Sequence, residues 1–169
     1  MIIGLFGLSG SGKSSLRYAF EKKHSNFYCT SASELLKKLN RTISLQSLNT
    51  YELNTNQNIL VSKINHLATT YKNIFIELHA IIESQNDKTY IVDKTTLQSL
   101  NLDYIFILDT PAQEILIHRM NDPIKKRPSI SLDEITRLAN LQSKYLKKIY
   151  ANKVQFIKCL EDIENIVFI

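Results

Sequence analysis

The fold of this 169-residue chain is decided near its start, by the stretch Gly7-Leu8-Ser9-Gly10-Ser11-Gly12-Lys13-Ser14. These residues satisfy the pattern G-x-x-x-x-G-K-[ST] in full. The glycines let the backbone fold closely around phosphate oxygens, and successive N–H groups then point inward as an anion-binding nest. A plain glycine-rich turn would need neither Lys13 nor Ser14, so we interpret the stretch as a phosphate cradle.

The segments on either side of the loop support this interpretation. The apolar run Ile2–Phe6 predicts a buried strand before it, and Lys13–Lys23 predicts a helix after it, whose positive dipole end faces the loop. Lys13 is expected to reach the β- and γ-phosphates of ATP, and Ser14 to offer its hydroxyl to Mg²⁺. The predicted nucleotide-binding residues are Gly7, Leu8, Ser9, Gly10, Ser11, Gly12, Lys13, Ser14 and, at the α-phosphate, Ser15.

Composition excludes several other classes of protein. The net charge of +5 suits an anionic ligand, although a lysine-rich surface would give the same value. The basic residues are dispersed, so nucleic acid is not an expected partner. Cys29 and Cys159 lie far apart and predict reduced thiols in a cytoplasmic protein. No apolar run approaches the length of a membrane span, and no targeting segment is evident.

Further along the chain, apolar runs alternate with helix signals. Strands are predicted at Phe27–Cys29, Asn73–Leu78, Lys88–Asp93 (peripheral), Tyr104–Leu108 and Val154–Lys158. Helices are predicted after the capping residues Ser31, Thr110 and Ser131, within residues 40–56, at Thr55–Tyr71 and at Leu160–Asn165. The alternation predicts one α/β domain over residues 1–169, a three-layer P-loop fold with helices on both faces of a parallel sheet.

Ligands of such sheets bind outside the carboxyl ends of the strands. This rule brings three segments together: the glycine loop, the region of Glu77, and Asp109 with Thr110. Asp93 also ends an apolar stretch, but it is a weaker candidate for the site than Glu77.

In three places the sequence resembles the adenylate-kinase-like nucleoside monophosphate kinases, most closely their archaeal-type and nuclear branches. The first is the glycine loop. The second, Glu77-Leu78-His79-Ala80, looks like the Asp-x-His-(small) segment of those branches. The third is Asp103–Thr110, followed by a helix, Arg119 and a basic loop that ends at Arg127-Pro128.

The resemblance implies a five-stranded parallel core, a helical acceptor-binding insertion at about residues 30–71 and a short lid at about 121–130. Arg41, Lys37 or Lys38 could bind an acceptor phosphate, or form a solvated basic face. Gln57 and Asn58 could contact a base, but they also suit a polar helix surface.

Glu77 stands where the family usually has Asp. It could hold Mg²⁺ through water, accept a hydrogen bond from Ser14, or be a solvent-exposed charge at a strand end. His79 could contact the acceptor phosphate or steady Glu77, and it could equally be a structural residue.

The lid carries the second group of candidates. Arg119 and Arg127 flank a turn that contains Lys125 and Lys126, and they could stabilise negative charge on the γ-phosphate. An exposed basic turn is the alternative. Arg137, on the helix that follows, is a weaker candidate.

These features favour a phosphotransferase that moves the γ-phosphate of ATP to a nucleoside monophosphate, with Lys13, Arg119, Arg127 and Glu77 as catalytic residues. A kinase acting on a hydroxyl group is one alternative, with Glu77 as the general base. A nucleotide-dependent switch or assembly factor with weak ATPase activity is another. The expected partners are small-molecule nucleotides; the sequence predicts no oligomeric state.

Overall fold

The computed structural model describes residues 1–41, 49–83, 89–122 and 130–168. Its centre is a sheet of five strands: β1 (Ile2–Phe6), β2 (Tyr28–Ser31), β3 (Ile74–Leu78), β6 (Tyr104–Leu108) and β7 (Val154–Ile157). Their order across the sheet is β2-β3-β1-β6-β7, and every neighbouring pair is parallel. The α/β fold and the five-stranded parallel sheet are therefore confirmed.

A separate two-stranded antiparallel hairpin joins β4 (Ile81–Glu83) to β5 (Thr89–Ile91). The sequence predicted β5 as a peripheral strand, but it did not predict β4. The prediction failed because β4 has only three residues and follows β3 after a two-residue break, so periodicity does not separate the two strands.

Seven α-helices lie within the described ranges. They are α1 (Lys13–Lys23), α2 (Ala32–Lys38), α3 (Thr50–Thr70), α4 (Lys94–Gln98), α5 (Ala112–Met120), α6 (Leu132–Tyr150) and α7 (Leu160–Val167). A short 3-10 turn, Ala151–Lys153, precedes β7.

Capping side chains set the beginnings of several helices. The predicted Ser31 and Ser131 caps are confirmed, since each hydroxyl accepts from the backbone N–H three residues later. The predicted start of the long helix at Thr55 is wrong, because an Asn49–Glu52 capping box begins α3 at Thr50. The short helix predicted within residues 40–56 falls partly on residues 42–48, which lie outside the described ranges.

The two faces of the sheet are covered by different helices. On β1, Ile3 and Leu5 face one layer, which includes Phe20 of α1 and Ile163 of α7. The alternate residues Ile2 and Phe6 face the other layer, which includes residues of α2, α3, α4 and α6. Because both faces of β1 are covered, the strand is apolar throughout. The glycine loop follows at its carboxyl end.

Candidate active site

The glycine loop leaves β1 and enters α1 through two glycines with positive φ. Gly10 has φ 86° and Gly12 has φ 90°, a region of backbone space in which L side chains are strained. Gly12 is the N-cap of α1 and supplies no side-chain cap to the helix. The N-terminus of α1 therefore has the features of an anion site.

Lys13 lies folded along the inside of this loop. Its Nζ donates to the carbonyl oxygens of Gly7 at 2.7 Å and Leu8 at 2.9 Å, and the residue is buried. Among the described residues, the buried Oγ of Ser11 has no hydrogen-bond partner. A Cβ on Gly7 would lie 2.6 Å from that oxygen. A cradle with close glycine packing and an unsatisfied hydroxyl fits a phosphate group.

Ser14 and Glu77 meet at the carboxyl end of β3. The Ser14 hydroxyl donates to Oε2 of Glu77 at 3.0 Å, and the Glu77 side chain is only 7% exposed. The alternative of a strand-end charge in solvent is therefore wrong. A hydroxyl and a carboxylate side by side are the hard oxygen ligands that Mg²⁺ prefers.

Arg17, which sequence analysis did not select, holds the other side of Glu77. Its Nε donates to Oε1 of Glu77 at 2.6 Å, and one terminal nitrogen donates to Oε1 of Glu34 at 2.7 Å. Burial alone would lower the pKa of the guanidinium, but Glu77 and Glu34 raise it above its ordinary value. The only sequence signal was its position three residues after Ser14 on α1, which places both on one helix face.

Glu34 occupies its place because of a capping box. Its Oε2 accepts from the backbone N–H of Ser31 at 3.2 Å and from the Thr30 hydroxyl at 3.3 Å. Ser31 lies opposite Glu77 in the sheet register. Sequence analysis used Glu34 only as a helix signal, whereas the fold also places it beside the site.

Arg119 lies at the outer rim of the glycine loop. Its Nε donates to the carbonyl of Ser9, and its two terminal nitrogens donate to the two carboxylate oxygens of Glu83, all at 2.8 Å. The side chains of Arg119 and Glu83 are only 6% and 10% exposed. The structure thus brings Arg119 to the loop, and its predicted action on the γ-phosphate stays a prediction. Arg127, Lys125 and Lys126 lie outside the described residues.

Thr110 contacts the glycine loop and does not act as the predicted helix cap. Its hydroxyl donates to the carbonyl of Ser11 at 2.7 Å, while Pro111 is the N-cap of α5. The predicted Thr110 cap is therefore wrong, because its hydroxyl is used by the glycine loop. On the same side of the loop, Nδ1 of His118 lies 2.9 Å from the carbonyl oxygen of Gly10.

The predicted acceptor residues lie around α2 and α3. The Nε of Arg41 donates to Oδ1 of Asn56 on α3 at 2.8 Å, and Asn56 is 2% exposed. Gln57 is buried, whereas Asn58 is exposed, so only Asn58 fits the polar helix surface considered for both. Lys37 and Lys38 are exposed.

His79 and Asp93 complete the set of candidates. His79 is half-buried just beyond β3, and its contact with an acceptor stays a prediction. Asp93 is the N-cap of α4, and its hydrogen bonds from Thr95 lower its pKa below the ordinary value.

Among the described residues, no group of three or more His, Cys, Asp or Glu side chains could enclose a metal ion. Mg²⁺ at phosphate sites commonly uses only one or two protein ligands together with phosphate oxygens. The pair of Ser14 and Glu77 is compatible with that kind of site.

A P-loop at the carboxyl edge of this five-stranded parallel sheet defines the fold of a P-loop kinase. The chain belongs to the AAA_17 family, described as an AAA domain, whose sequence model matches residues 6–136. No curated protein matches the chain.

Solved structures of the same fold include three kinases of low sequence identity. Shikimate kinase from Aquifex aeolicus is 16% identical with a TM-score of 0.62, and the alignment covers 99% of both chains. Deoxyadenosine kinase from M. mycoides is 15% identical with a TM-score of 0.57, covering 98% of this chain and 97% of the other. A sugar kinase from Janibacter sp. HTCC2649 is 15% identical with a TM-score of 0.62, covering 97% and 92%. These likenesses establish the P-loop kinase fold and do not single out the adenylate-kinase-like branch.

In the described parts of the chain, no helix combines the length and apolar character needed to cross a membrane. The cytoplasmic location stays a prediction.

Proposed function

We propose that this protein is an ATP- and Mg²⁺-dependent phosphotransferase whose acceptor is a nucleoside monophosphate. The observation that carries the proposal is the hydrogen bond between Ser14 and Glu77, beside the buried amine of Lys13. A cation for phosphate oxygens and two oxygen ligands for a metal ion lie at one edge of the sheet. Phosphoryl transfer depends mainly on such positioning and on stabilisation of charge.

The donor side of the reaction follows from the loop. Lys13 would exchange the carbonyl oxygens of Gly7 and Leu8 for the β- and γ-phosphate oxygens of ATP. The N–H groups at the start of α1 would bind the remaining oxygens. Mg²⁺ bound with the nucleotide would supply positive charge that offsets the charge of the phosphates. Ser14 would hold it directly, and Glu77 directly or through water.

The acceptor side favours a phosphate over an alcohol at Glu77. Both carboxylate oxygens of Glu77 are engaged, one by Ser14 and one by Arg17. Its ion pair with Arg17 and its proposed role in holding Mg²⁺ leave Glu77 poorly suited to take a proton from a hydroxyl group. A monophosphate is already an anionic nucleophile and requires no base. Arg41, oriented by the buried Asn56, would bind it, with His79 as a further contact.

Arg119 and Arg127 would stabilise the transferred phosphoryl group from the lid side. In the structure, Arg119 already lies against the carbonyl of Ser9, next to the loop that would hold the phosphates. A change of side-chain conformation away from Glu83 would bring its guanidinium to the phosphates.

The proposal is tested by coupled ADP release with Mg-ATP and each ribo- and deoxyribonucleoside monophosphate in turn. At least one monophosphate is expected to raise turnover well above the rate with ATP alone. If none does, the acceptor assignment is wrong.

A second candidate, a kinase acting on a hydroxyl group, is favoured by Glu34. Its side chain is 39% exposed and lies near Glu77, so it could accept a proton from an alcohol bound beside the loop. Mass spectrometry of the acceptor separates the two candidates. Conversion of an added monophosphate to its diphosphate shows transfer to a phosphate, whereas a phosphorylated alcohol shows transfer to a hydroxyl group.

A further inference from the structure

Arg17 is the most deeply buried charged side chain at the site that the function proposed above does not use. Its side chain is 4% exposed, yet it lies on α1 in the same turn as Ser14. A buried guanidinium is costly unless carboxylates compensate it. Here Glu77 at the end of β3 and Glu34 in the first turn of α2, the helix that follows β2, do so.

The shape of the guanidinium makes this bridge possible. Separate nitrogens contact the two carboxylates, Nε at 2.6 Å from Glu77 and a terminal nitrogen at 2.7 Å from Glu34. Because the guanidinium is planar and rigid, these two contacts also fix the orientation of the Glu77 carboxylate. Oε1 of Glu77 is held by Arg17, and Oε2 is left facing the hydroxyl of Ser14.

The sheet register explains why Glu34 is within reach. Glu77 on β3 lies opposite Ser31 on β2. Ser31 is the N-cap of α2, and its capping box returns the Glu34 side chain to the start of that helix. The capping box therefore places a second carboxylate beside Glu77, and Arg17 occupies the position between them.

We propose that Arg17 is a positioning residue that fixes Glu77 beside Ser14 for Mg²⁺ and ties this metal side of the site to Glu34. The inference rests on the proposed function and deepens it. Without Arg17, the buried Glu77 carboxylate would lose its compensating charge and its fixed orientation beside Ser14. The part of nucleotide binding that depends on Mg²⁺ should then weaken, while binding to the loop itself should persist.

The experiment measures the dissociation constant of the non-hydrolysable ATP analogue AMP-PNP by calorimetry, in Mg²⁺ and in EDTA. The ratio of the two constants gives the gain in affinity due to Mg²⁺. Arg17→Met is expected to reduce this gain about tenfold, the lower end of what loss of a partner to a metal ligand causes. Its affinity in EDTA should stay within about twofold of wild type, because the loop is unchanged.

Two further variants keep the test decisive if Arg17→Met does not fold. Arg17→Lys retains the charge but cannot bridge two carboxylates, so it is expected to reduce the Mg²⁺-dependent gain about threefold. Glu34→Gln leaves the contact between Arg17 and Glu77 in place, so it should reduce the gain less than Arg17→Met does. The matched control is Lys22→Met, which removes an exposed positive charge from the same helix and should leave the gain unchanged.

The outcomes separate this inference from the function on which it rests. A Mg²⁺-dependent gain in wild type that survives in the Arg17 variants overturns the positioning role alone. Equal weakening in Mg²⁺ and EDTA also overturns it, because that result indicates a general structural role. A wild-type protein without any gain overturns the proposed metal site and this inference together.

Discussion

Lys13 is held in place before any nucleotide arrives. Its amine is bound by two loop carbonyls, and its alkyl stem is buried. Phosphate oxygens share a full negative charge, whereas the carbonyl oxygens are neutral, so phosphate oxygens bind the ammonium group more strongly. The side chain is therefore ready to move a short distance onto a bound phosphate.

Lys13→Met tests this role at the level of one charge. It keeps most of the buried stem and removes the amine, so the fold should persist while turnover falls at least about 100-fold. Steady-state kinetics of ADP release and thermal unfolding measure the two effects. Lys22→Met, which changes an exposed lysine on the same helix, is the control and should behave as wild type. Full turnover in Lys13→Met would refute the assignment of the cradle.

Single residues of the site differ in how well the sequence predicts them. Lys13 and Ser14 are predictable because a local motif fixes them. Arg17 and Glu34 are not, because their role depends on strand register, which brings residues distant in sequence together. Glu77 has a longer side chain than the Asp usual in the family that the sequence resembles. Its contacts with Ser14 and Arg17 give a physical reason for the longer side chain.

At the scale of elements, the β4–β5 hairpin and helix α5 together support the glycine loop. Glu83 at the end of β4 binds Arg119 near the end of α5 at two points, and Arg119 also donates to Ser9 in the loop. A Cβ on Gly10 would approach Cγ of Arg119 to 2.9 Å. Leu8 packs with apolar residues of β4, α5 and α6 beneath the loop.

The Glu83–Arg119 pair is expected to contribute to stability, because removing the charge of one member leaves the largely buried charge of the other uncompensated. Glu83→Gln and Arg119→Met should each lower the free energy of unfolding by about 3 kcal/mol. The double variant should cost less than the sum of the two. Urea denaturation measures all three. Strict additivity would contradict the coupling. The control is Glu134→Gln, which removes the more exposed ion pair with Arg137 on α6 and should change the free energy of unfolding little.

Predicting the elements succeeded where a signal was local. Apolar runs identified all five parallel strands, and Ser31 and Ser131 marked the helix starts. The beginning of α3 was predicted too late because its first five residues, 50–54, are mostly polar and bury little apolar surface. Strand β4 was missed because it has only three residues and follows β3 after a two-residue break, so the partner of Arg119 could not be predicted.

At the scale of the whole molecule, the C-terminal helix α7 is tied to the helix that follows the loop. Glu164 accepts from Nζ of Lys23 at 2.7 Å, and its other oxygen lies 2.7 Å from Nε2 of His24 at the end of α1. The His24 ring also stacks on Phe168. These contacts close the layer formed by α1 and α7 over the sheet.

This tie predicts a pH dependence of stability. The hydrogen bond from Lys23, then that of His24, lowers the pKa of Glu164 below its ordinary value. A lowered pKa in the folded state stabilises the protein above the ordinary value of about 4.3, and the effect is lost as the pH falls below it. Glu164→Gln should therefore be less stable than wild type near neutral pH, and the difference should vanish in acid.

Urea denaturation from about pH 6 to about pH 3 measures that difference. Glu114→Gln, at an exposed site on α5, serves as the control and should follow the wild-type curve. A difference between Glu164→Gln and wild type that stays constant across the range would show that packing, and not charge, accounts for it.

The central claim is that a phosphoryl group bound in the glycine loop is transferred to a nucleotide acceptor. Mass spectrometry of reactions containing Mg-ATP and a mixture of nucleoside monophosphates tests it most directly. With the wild-type protein we predict one nucleoside diphosphate from the acceptor for each ADP formed from ATP, so an AMP acceptor gives two ADP for each ATP consumed. With Lys13→Met we predict neither product. ADP accompanied only by inorganic phosphate, or a diphosphate formed equally by Lys13→Met, would contradict the claim.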